Sequence, residues 1–173
     1  MKNKFLFLII ILFLVFCFIV LYKGLNYSNI YVPQKNFEKK IPSFIAKDFY
    51  LENEINSEKI FLDDKIYILN IWASWCLPCK KEHPILMELS KNKAIKLIGL
   101  NYRDNINNAK KFIEDLGNPY SQILIDKDGT LAVEWGAYGV PETFIINKKK
   151  RIIKKIIGPL NKELLEEIKP YLK

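Results

Sequence analysis

The chain has 173 residues, half of them hydrophobic, and a formal net charge of +8 at pH 7. This length suits one compact domain plus a short additional segment. Six lysines and only one glutamate fall within residues 1–41, and arginine accounts for only two of the 27 basic residues. Because the excess charge lies near the N-terminus and arginine is scarce, the composition argues against nucleic-acid recognition.

Cysteine and histidine are too few for several common kinds of site. Three cysteines exclude a disulfide-stapled scaffold, and Cys17 lies in an apolar run where a small hydrophobe is expected. Cys76, Cys79 and His83, the single histidine, lie near one another, but a structural zinc site needs four ligands. The sequence therefore predicts no metal site, and it contains neither a hydrolase triad nor a glycine-rich phosphate loop.

Residues 5–22 form an uncharged, apolar run. As a helix the run would be about 27 Å long, close to the hydrocarbon thickness of a bilayer. Lys2 and Lys4 precede it and Lys23 follows it, a bias that favours a cytoplasmic N-terminus and an exported remainder. A cleaved signal peptide is the alternative, but the run is longer than usual and no typical cleavage pattern follows. We expect residues 1–23 to be an uncleaved membrane anchor.

A polar linker is expected over residues 24–40, and one domain over residues 41–173. Strands are predicted at Phe44–Leu51, Glu58–Leu62, Ile66–Ala73, Ile95–Leu100, Gln122–Ile125, Thr143–Asn147 and Arg151–Ile157. Helices are predicted at Leu77–Lys91, Asn105–Leu116 with Gly117 as its C-cap, and Asn161–Leu172. This order of elements predicts an α/β fold with a mixed central sheet flanked by helices.

A buried strand is predicted to meet a helix at Trp72-Ala73-Ser74-Trp75-Cys76-Leu77-Pro78-Cys79. Two thiols at this spacing can close a small disulfide ring. At a helix start, unpaired backbone N–H groups and the helix dipole favour the thiolate of Cys76. We therefore expect Cys76 to attack a substrate disulfide and Cys79 to resolve the mixed disulfide. Such exchange needs no cofactor other than the redox-active Cys76–Cys79 disulfide.

Four segments in chain order resemble the DsbE/CcmG family, membrane-anchored thiol–disulfide oxidoreductases of bacterial cytochrome c maturation. The segments are Trp72–Pro84, Gly99–Asp104, Leu116–Tyr120 and Tyr138–Phe144. The resemblance covers roughly residues 41–172 and also fits the predicted anchor. It implies a thioredoxin-like fold with an N-terminal transmembrane helix.

The resemblance also implies a substrate and an electron donor. Family members reduce the CxxCH cysteines of apocytochrome c and receive electrons from a membrane thiol reductase of the DsbD or CcdA type. This role implies a single-pass protein of the bacterial inner membrane with its catalytic domain on the periplasmic side. A broader-specificity exported oxidoreductase is one alternative. A redox-silent peptide-binding module is another, although such a module need not retain both cysteines.

Several further site residues follow from the resemblance. Pro141 is expected to be a cis-proline beside the disulfide, the alternative being an ordinary trans turn proline. Trp75 and Val140 are expected to bind substrate with it, because backbone groups of Val140 can pair with an extended segment. Glu82 and Glu142 resemble acids of the family's active site and are candidate proton-relay residues. The alternative interpretation is that both residues are solvated surface acids.

Asn70 departs from general thioredoxins, which carry a buried acid six residues before the first active cysteine. Because an amide does not titrate, Glu82 becomes the better candidate for the proton relay. It follows Cys79 by three residues, on a neighbouring face of the predicted helix. His83 is expected to have a surface or core role rather than a catalytic one.

Overall fold

The computed structural model describes residues 2–26 and 39–172, which belong to two compact units. The first contains helix α1 (Lys2–Asn26), which extends past the predicted end of the anchor at residue 23. Its Lys4–Lys23 segment is long and apolar enough to cross a membrane. Residues 27–38, most of the predicted linker, lie outside the described residues.

The second unit contains a sheet and several helices. Within residues 39–172 the strands are β1 (Lys39–Lys40), β2 (Ile45–Asp48), β3 (Glu54–Asn56), β4 (Ile66–Trp72), β5 (Ile95–Tyr102), β6 (Gln122–Asp126), β7 (Glu142–Ile146) and β8 (Arg151–Ile157). The helices there are α2 (Ser57–Ile60), α3 (Leu77–Leu89), α4 (Ile106–Leu116), α5 (Thr130–Trp135), α6 (Lys162–Ile168) and a final 3₁₀ helix (Lys169–Leu172).

The strands form one mixed sheet in the order β1-β8-β7-β4-β5-β6-β2-β3. Strands β4, β5 and β6 are parallel, whereas β7 is antiparallel to β4. All seven residues of β4 are buried, as expected for a strand with neighbours on both edges and helices on both faces. The predicted mixed sheet flanked by helices is confirmed.

Alternate side chains of β4 enter two separate cores. Ile68 and Trp72 pack with residues of α3, α4 and α6 on one face of the sheet. Leu69 and Ile71 pack with residues of α2 and α5 on the other face. The two cores hold the sheet rigid, so the loops at its ends have fixed starting points.

The region before β4 differs from the prediction. The strand expected over Phe44–Leu51 ends at Asp48, whose carboxylate accepts the N–H groups of Tyr50 and Leu51 in a turn. The prediction of a strand at Glu58–Leu62 is wrong, because helix α2 occupies that position and β3 precedes it. The side chain of Asn56 caps this helix by accepting the N–H of Glu58. This capping favours a helix over the strand that the apolar residues of the segment suggest.

Helix α5 has no counterpart among the predicted elements. It has only six residues, too few for a helical period to show in the sequence. Gly129 and Gly136 flank it with φ angles of 88° and 75°, a left-handed conformation that favours glycine. Gly117 ends α4 with a φ of 86°, so its predicted role as a C-cap is confirmed.

Candidate active site

Cys76 lies at the point where β4 gives way to α3, at the carboxyl end of the central strand. It is the N-cap of α3, with φ −89° and ψ 104°, and Pro78 fits the first helical turn because no N–H is required there. Cys76 and Cys79 form a disulfide, and Cys76 Sγ accepts the N–H of Cys79 at 3.1 Å. Once the pair is reduced, this donor and the helix N-terminus favour negative charge on Cys76.

The segment before Cys76 is held by Asp104, which the sequence did not single out. The Asp104 carboxylate accepts the N–H of Ser74 at 2.5 Å and its hydroxyl at 2.7 Å. It also accepts the side chain of Asn101 at 3.0 Å and the N–H of Asn105 at 2.8 Å. Asp104 therefore joins the loop after β5 to the loop that carries the cysteines. Its only sequence signal is its place in the family-like segment Gly99–Asp104.

Trp75, predicted to bind substrate, lies directly before Cys76 and is 59 % exposed. Its indole N–H donates to the carbonyl of Arg103 at 3.2 Å. The ring is therefore oriented by the same loop that holds Ser74, while most of its surface stays open. An exposed aromatic ring next to the disulfide is suited to contact with a docked peptide.

Glu82 is completely buried, so its alternative interpretation as a solvated surface acid is wrong. One carboxylate oxygen accepts Asn70 Nδ2 at 2.8 Å, and the other accepts the N–H of Leu160 at 2.7 Å. Burial raises the pKa of Glu82 to about 7, and the two hydrogen bonds oppose that rise. A carboxyl group with this pKa can accept or donate a proton at neutral pH.

Asn70 is the centre of the buried polar network to which Glu82 belongs. Its Nδ2 also donates to the hydroxyl of Thr143 at 3.0 Å, and its Oδ1 accepts the hydroxyl of Tyr120 at 2.8 Å. Burial holds the pKa of Tyr120 well above its usual value, so this phenol remains a donor. Tyr120 and Thr143 were not predicted as members of the site. They come from distant parts of the chain, and their only sequence signal is their place in the family-like segments Leu116–Tyr120 and Tyr138–Phe144.

The Val140–Pro141 peptide bond is cis, as predicted. Residue Ile71 of β4 pairs with Glu142 of β7, so Pro141 and Cys76 lie at the same end of the sheet. Pro141 is buried and Val140 is half-buried. The structure thus brings the predicted substrate-binding residues to the sheet end that carries the cysteines.

Glu142 is also buried, with 1 % of its surface exposed, so the solvated alternative is wrong here too. Its Oε1 accepts the N–H groups of Tyr138 and Gly139 at 2.6 and 3.1 Å. Its Oε2 lies 2.8 Å from Lys155 Nζ. Both oxygens are therefore engaged by the loop before Pro141 and by a cation. The proton-relay role suggested for Glu142 stays a prediction.

His83 has a core role, one of the two non-catalytic roles, surface or core, expected from the sequence. It is 3 % exposed, its Nε2 lies 2.9 Å from the carbonyl of Gly117, and its ring contacts Phe112 edge-on. Burial lowers its pKa, while hydrogen bonding to backbone carbonyls opposes the shift. Within residues 2–26 and 39–172, no group of three or more His, Cys, Asp or Glu side chains is arranged to hold a metal ion.

Comparison with known sequences agrees with this geometry. The family model described as Redoxin matches residues 37–171. A probable thiol:disulfide interchange protein, DsbE-2 of Pasteurella multocida, is 38 % identical over 167 residues, which are 96 % of this chain and 87 % of that protein. The thiol:disulfide interchange protein CycY of Rhizobium leguminosarum is 43 % identical over 103 residues. These residues are 60 % of this chain but only 55 % of the length of CycY.

Comparison with solved structures agrees on the fold. The crystal structure of a putative thiol:disulfide interchange protein DsbE from Chlorobium tepidum superposes with a TM-score of 0.66 at 21 % identity, and the match covers 82 % of this chain and all of that one. The predicted thioredoxin-like fold is confirmed. The chain has the CxxC pair of a disulfide oxidoreductase, and it belongs to the redoxin family and, within it, to the DsbE thiol:disulfide interchange proteins.

Proposed function

We propose that this oxidoreductase reduces the disulfide of the Cys-x-x-Cys-His segment of apocytochrome c, so that both cysteines are free thiols for haem attachment. The observation that carries the proposal is the Cys76–Cys79 pair at the start of α3, at the same sheet end as Pro141. The membership of this chain in the DsbE group directs the choice of apocytochrome c as the substrate.

The exchange transfers two electrons from the protein to the substrate. The Cys76 thiolate attacks one sulfur of the substrate disulfide, and the other sulfur leaves as a thiolate and takes up a proton. Cys79 then loses its proton and attacks Cys76 Sγ. The second substrate thiol is released as the Cys76–Cys79 disulfide forms. Glu82, buried on the same helix as Cys79, is proposed to accept the Cys79 proton.

Substrate docking is proposed to use the loop before Pro141 and the exposed ring of Trp75. An extended substrate segment would pair with backbone groups of Val140, as a short added strand. Trp75 would cover the apolar side of that segment. Such backbone pairing fixes the direction of the substrate chain and presents its disulfide to Cys76.

The place of this reaction is proposed to be the periplasmic face of a bacterial inner membrane. Support comes from the apolar segment Lys4–Lys23 and from the lysines that precede it. A single-pass anchor would keep the domain near a membrane thiol reductase of the DsbD or CcdA type. That reductase would return Cys76 and Cys79 to dithiols after each turnover.

A trapping experiment in cells tests the substrate. The Cys79→Ser variant cannot resolve the mixed disulfide, so substrates stay attached to Cys76. We expect the captured proteins to include apocytochromes with a CxxCH segment, and a Cys76→Ser, Cys79→Ser double variant to capture none. Capture only of exported proteins without this segment would contradict the proposal and indicate a broader reductase.

A further inference from the structure

Lys155, on strand β8, carries a charge that is buried in the protein. Its side chain is 7 % exposed, and Nζ lies 2.8 Å from Oε2 of Glu142. The same Nζ donates to the carbonyl of Gly136 at 2.6 Å and lies 4.0 Å from the ring centroid of Tyr138. One ammonium group therefore contacts an anion, a carbonyl and an aromatic face.

These contacts reach both ends of one loop, which we call the proline loop, residues 136–141. At its start, Lys155 binds Gly136 directly. At its end, Lys155 is paired with Glu142, whose other oxygen accepts the N–H groups of Tyr138 and Gly139. Backbone hydrogen bonds hold the start of this loop through Gly136 and Ala137, and the buried ion pair of Lys155 and Glu142 holds the part that leads to Pro141. Such a pair is costly to break, because loss of one partner leaves the other charge buried without compensation.

We propose that Lys155 is a positioning residue for substrate, which sets the backbone of the proline loop so that a polypeptide can dock beside Cys76. Lys155 acts on the substrate only through the loop and Glu142. The inference rests on thiol–disulfide exchange in general and not on apocytochrome c as the substrate. It concerns docking of a polypeptide and not the reactivity of the sulfurs.

The neighbouring residue Lys154 provides a matched control. Successive side chains of a strand point to opposite faces of the sheet. Lys154 pairs with Glu167 of α6 and lies 5.5 Å from the ring centroid of Tyr171. It has the same charge and the same strand as Lys155, but it faces a helix and not the proline loop. Removing it tests the loss of a lysine from β8 without disturbing the loop.

The experiment compares two disulfides as oxidants of the reduced, full-length protein in detergent. One is a synthetic peptide whose two cysteines, separated by two residues, form a disulfide. The other is hydroxyethyl disulfide, which is too small to use the loop. Second-order rate constants for formation of the Cys76–Cys79 disulfide are followed by acid quench and thiol alkylation. The ratio of the two constants isolates docking from sulfur reactivity.

We expect Lys155→Met to lower the rate constant for the peptide about tenfold and to leave that for the small disulfide within about twofold. Lys155→Arg, which keeps the charge, should restore the peptide rate to within about threefold, and Lys154→Met should change neither rate. If both rates fall together in Lys155→Met, or if the peptide rate does not fall, the proposal is wrong.

Loss of one buried charge could prevent folding of Lys155→Met, so a second variant is included. The double variant Glu142→Gln, Lys155→Met removes both charges and avoids an unpaired buried ion. It should fold, as judged by thermal unfolding, and the ratio of its peptide rate constant to its small-disulfide rate constant should fall about tenfold, because any effect of Glu142 on proton transfer slows both reactions alike. A double variant with the wild-type ratio of the two rate constants would overturn the proposal.

Discussion

Asn70 and Glu82 share a fully buried hydrogen bond, in which Asn70 Nδ2 donates to Glu82 Oε1 at 2.8 Å. Where general thioredoxins carry a buried acid on the central strand, this chain has an amide that holds an acid of helix α3. The titrating group is therefore displaced from the strand to the helix that carries Cys79. A buried carboxyl group therefore lies on helix α3, three residues after Cys79.

Glu82 should make stability depend on pH. Burial raises its pKa from an ordinary value of 4.5 to about 7 in the folded protein. The folded state then holds a proton that the unfolded state releases, so this stabilisation is complete below pH 4.5 and is lost as pH rises through about 7. The loss amounts to roughly 3 kcal/mol.

Urea unfolding of the oxidised, full-length protein in detergent, at several pH values, measures this loss. The free energy of unfolding of wild type should fall between pH 4.5 and pH 8 by about 3 kcal/mol more than that of Glu82→Gln. Parallel curves for the two proteins would contradict a raised pKa for Glu82. The Gln variant should also be less stable at low pH, because Asn70 and Leu160 donate to different oxygens of Glu82, and Gln replaces one of these oxygens with an NH₂ group that cannot accept.

The same acid should control the second step of the exchange. If Glu82 accepts the proton of Cys79, collapse of a mixed disulfide between Cys76 and glutathione should accelerate as pH rises through about 7. In Glu82→Gln this inflection should vanish, and the rate at pH 7 should fall about tenfold or more. Stopped-flow measurement of glutathione release gives the rate. Glu88→Gln, at an exposed position of the same helix, is the control. If the pH dependence of the collapse rate in Glu82→Gln is the same as in wild type, Glu82 is not the proton acceptor.

Asp104→Ala should loosen the loop that carries the cysteines. The substitution removes the acceptor of both hydrogen bonds from Ser74, and hydrogen bonds to a charged group contribute about 1.5–3 kcal/mol each. Because Asp104 is only half-buried, we expect a loss of about 2 kcal/mol in the free energy of unfolding. Asp115→Ala, at an exposed position on α4, should lose little by the same urea titration. Equal stability of the two variants would contradict the role of Asp104.

Gly99→Ala should disturb the packing beneath the site. A Cβ at Gly99 would lie 2.9 Å from Trp72 Nε1 and 3.0 Å from the ring of Tyr120, whose hydroxyl donates to Asn70. Both rings are packed in the core, so the substitution should cost about 1–3 kcal/mol of stability. Gly139→Ala is the control for stability, because its Cβ would meet nothing within 4 Å. Thermal unfolding that shows equal loss in both variants would contradict this packing.

The sequence predicted well where a signal is local. The apolar run Ile66–Ala73 marked the buried central strand, observed as Ile66–Trp72, because a strand covered on both faces has few polar residues. The cis-proline followed from a family-like motif. Helices α2 and α5 were not predicted because four and six residues are too few for a helical period to show in the sequence.

The partners of the buried charges could not be read from the sequence. Leu160, which binds Glu82, lies 78 positions away from it, and no pattern along the chain indicates their contact. Lys155 belongs to a lysine-rich segment, and such residues are usually solvated. Its burial depends on the β7–β8 pairing, which places it beside Phe144. Burial of Glu82 and Glu142 likewise depends on tertiary packing.

We propose that reduced Cys76 and Cys79 transfer their electrons to a CxxCH disulfide. The direct measurement mixes the reduced, full-length protein with an oxidised Cys-x-x-Cys-His peptide and counts thiols on both by alkylation and mass spectrometry. We predict that one peptide dithiol appears for each Cys76–Cys79 disulfide formed, and that Cys76→Ser abolishes the reaction. A peptide that stays oxidised, while the same protein sample still reduces hydroxyethyl disulfide, would contradict the claim.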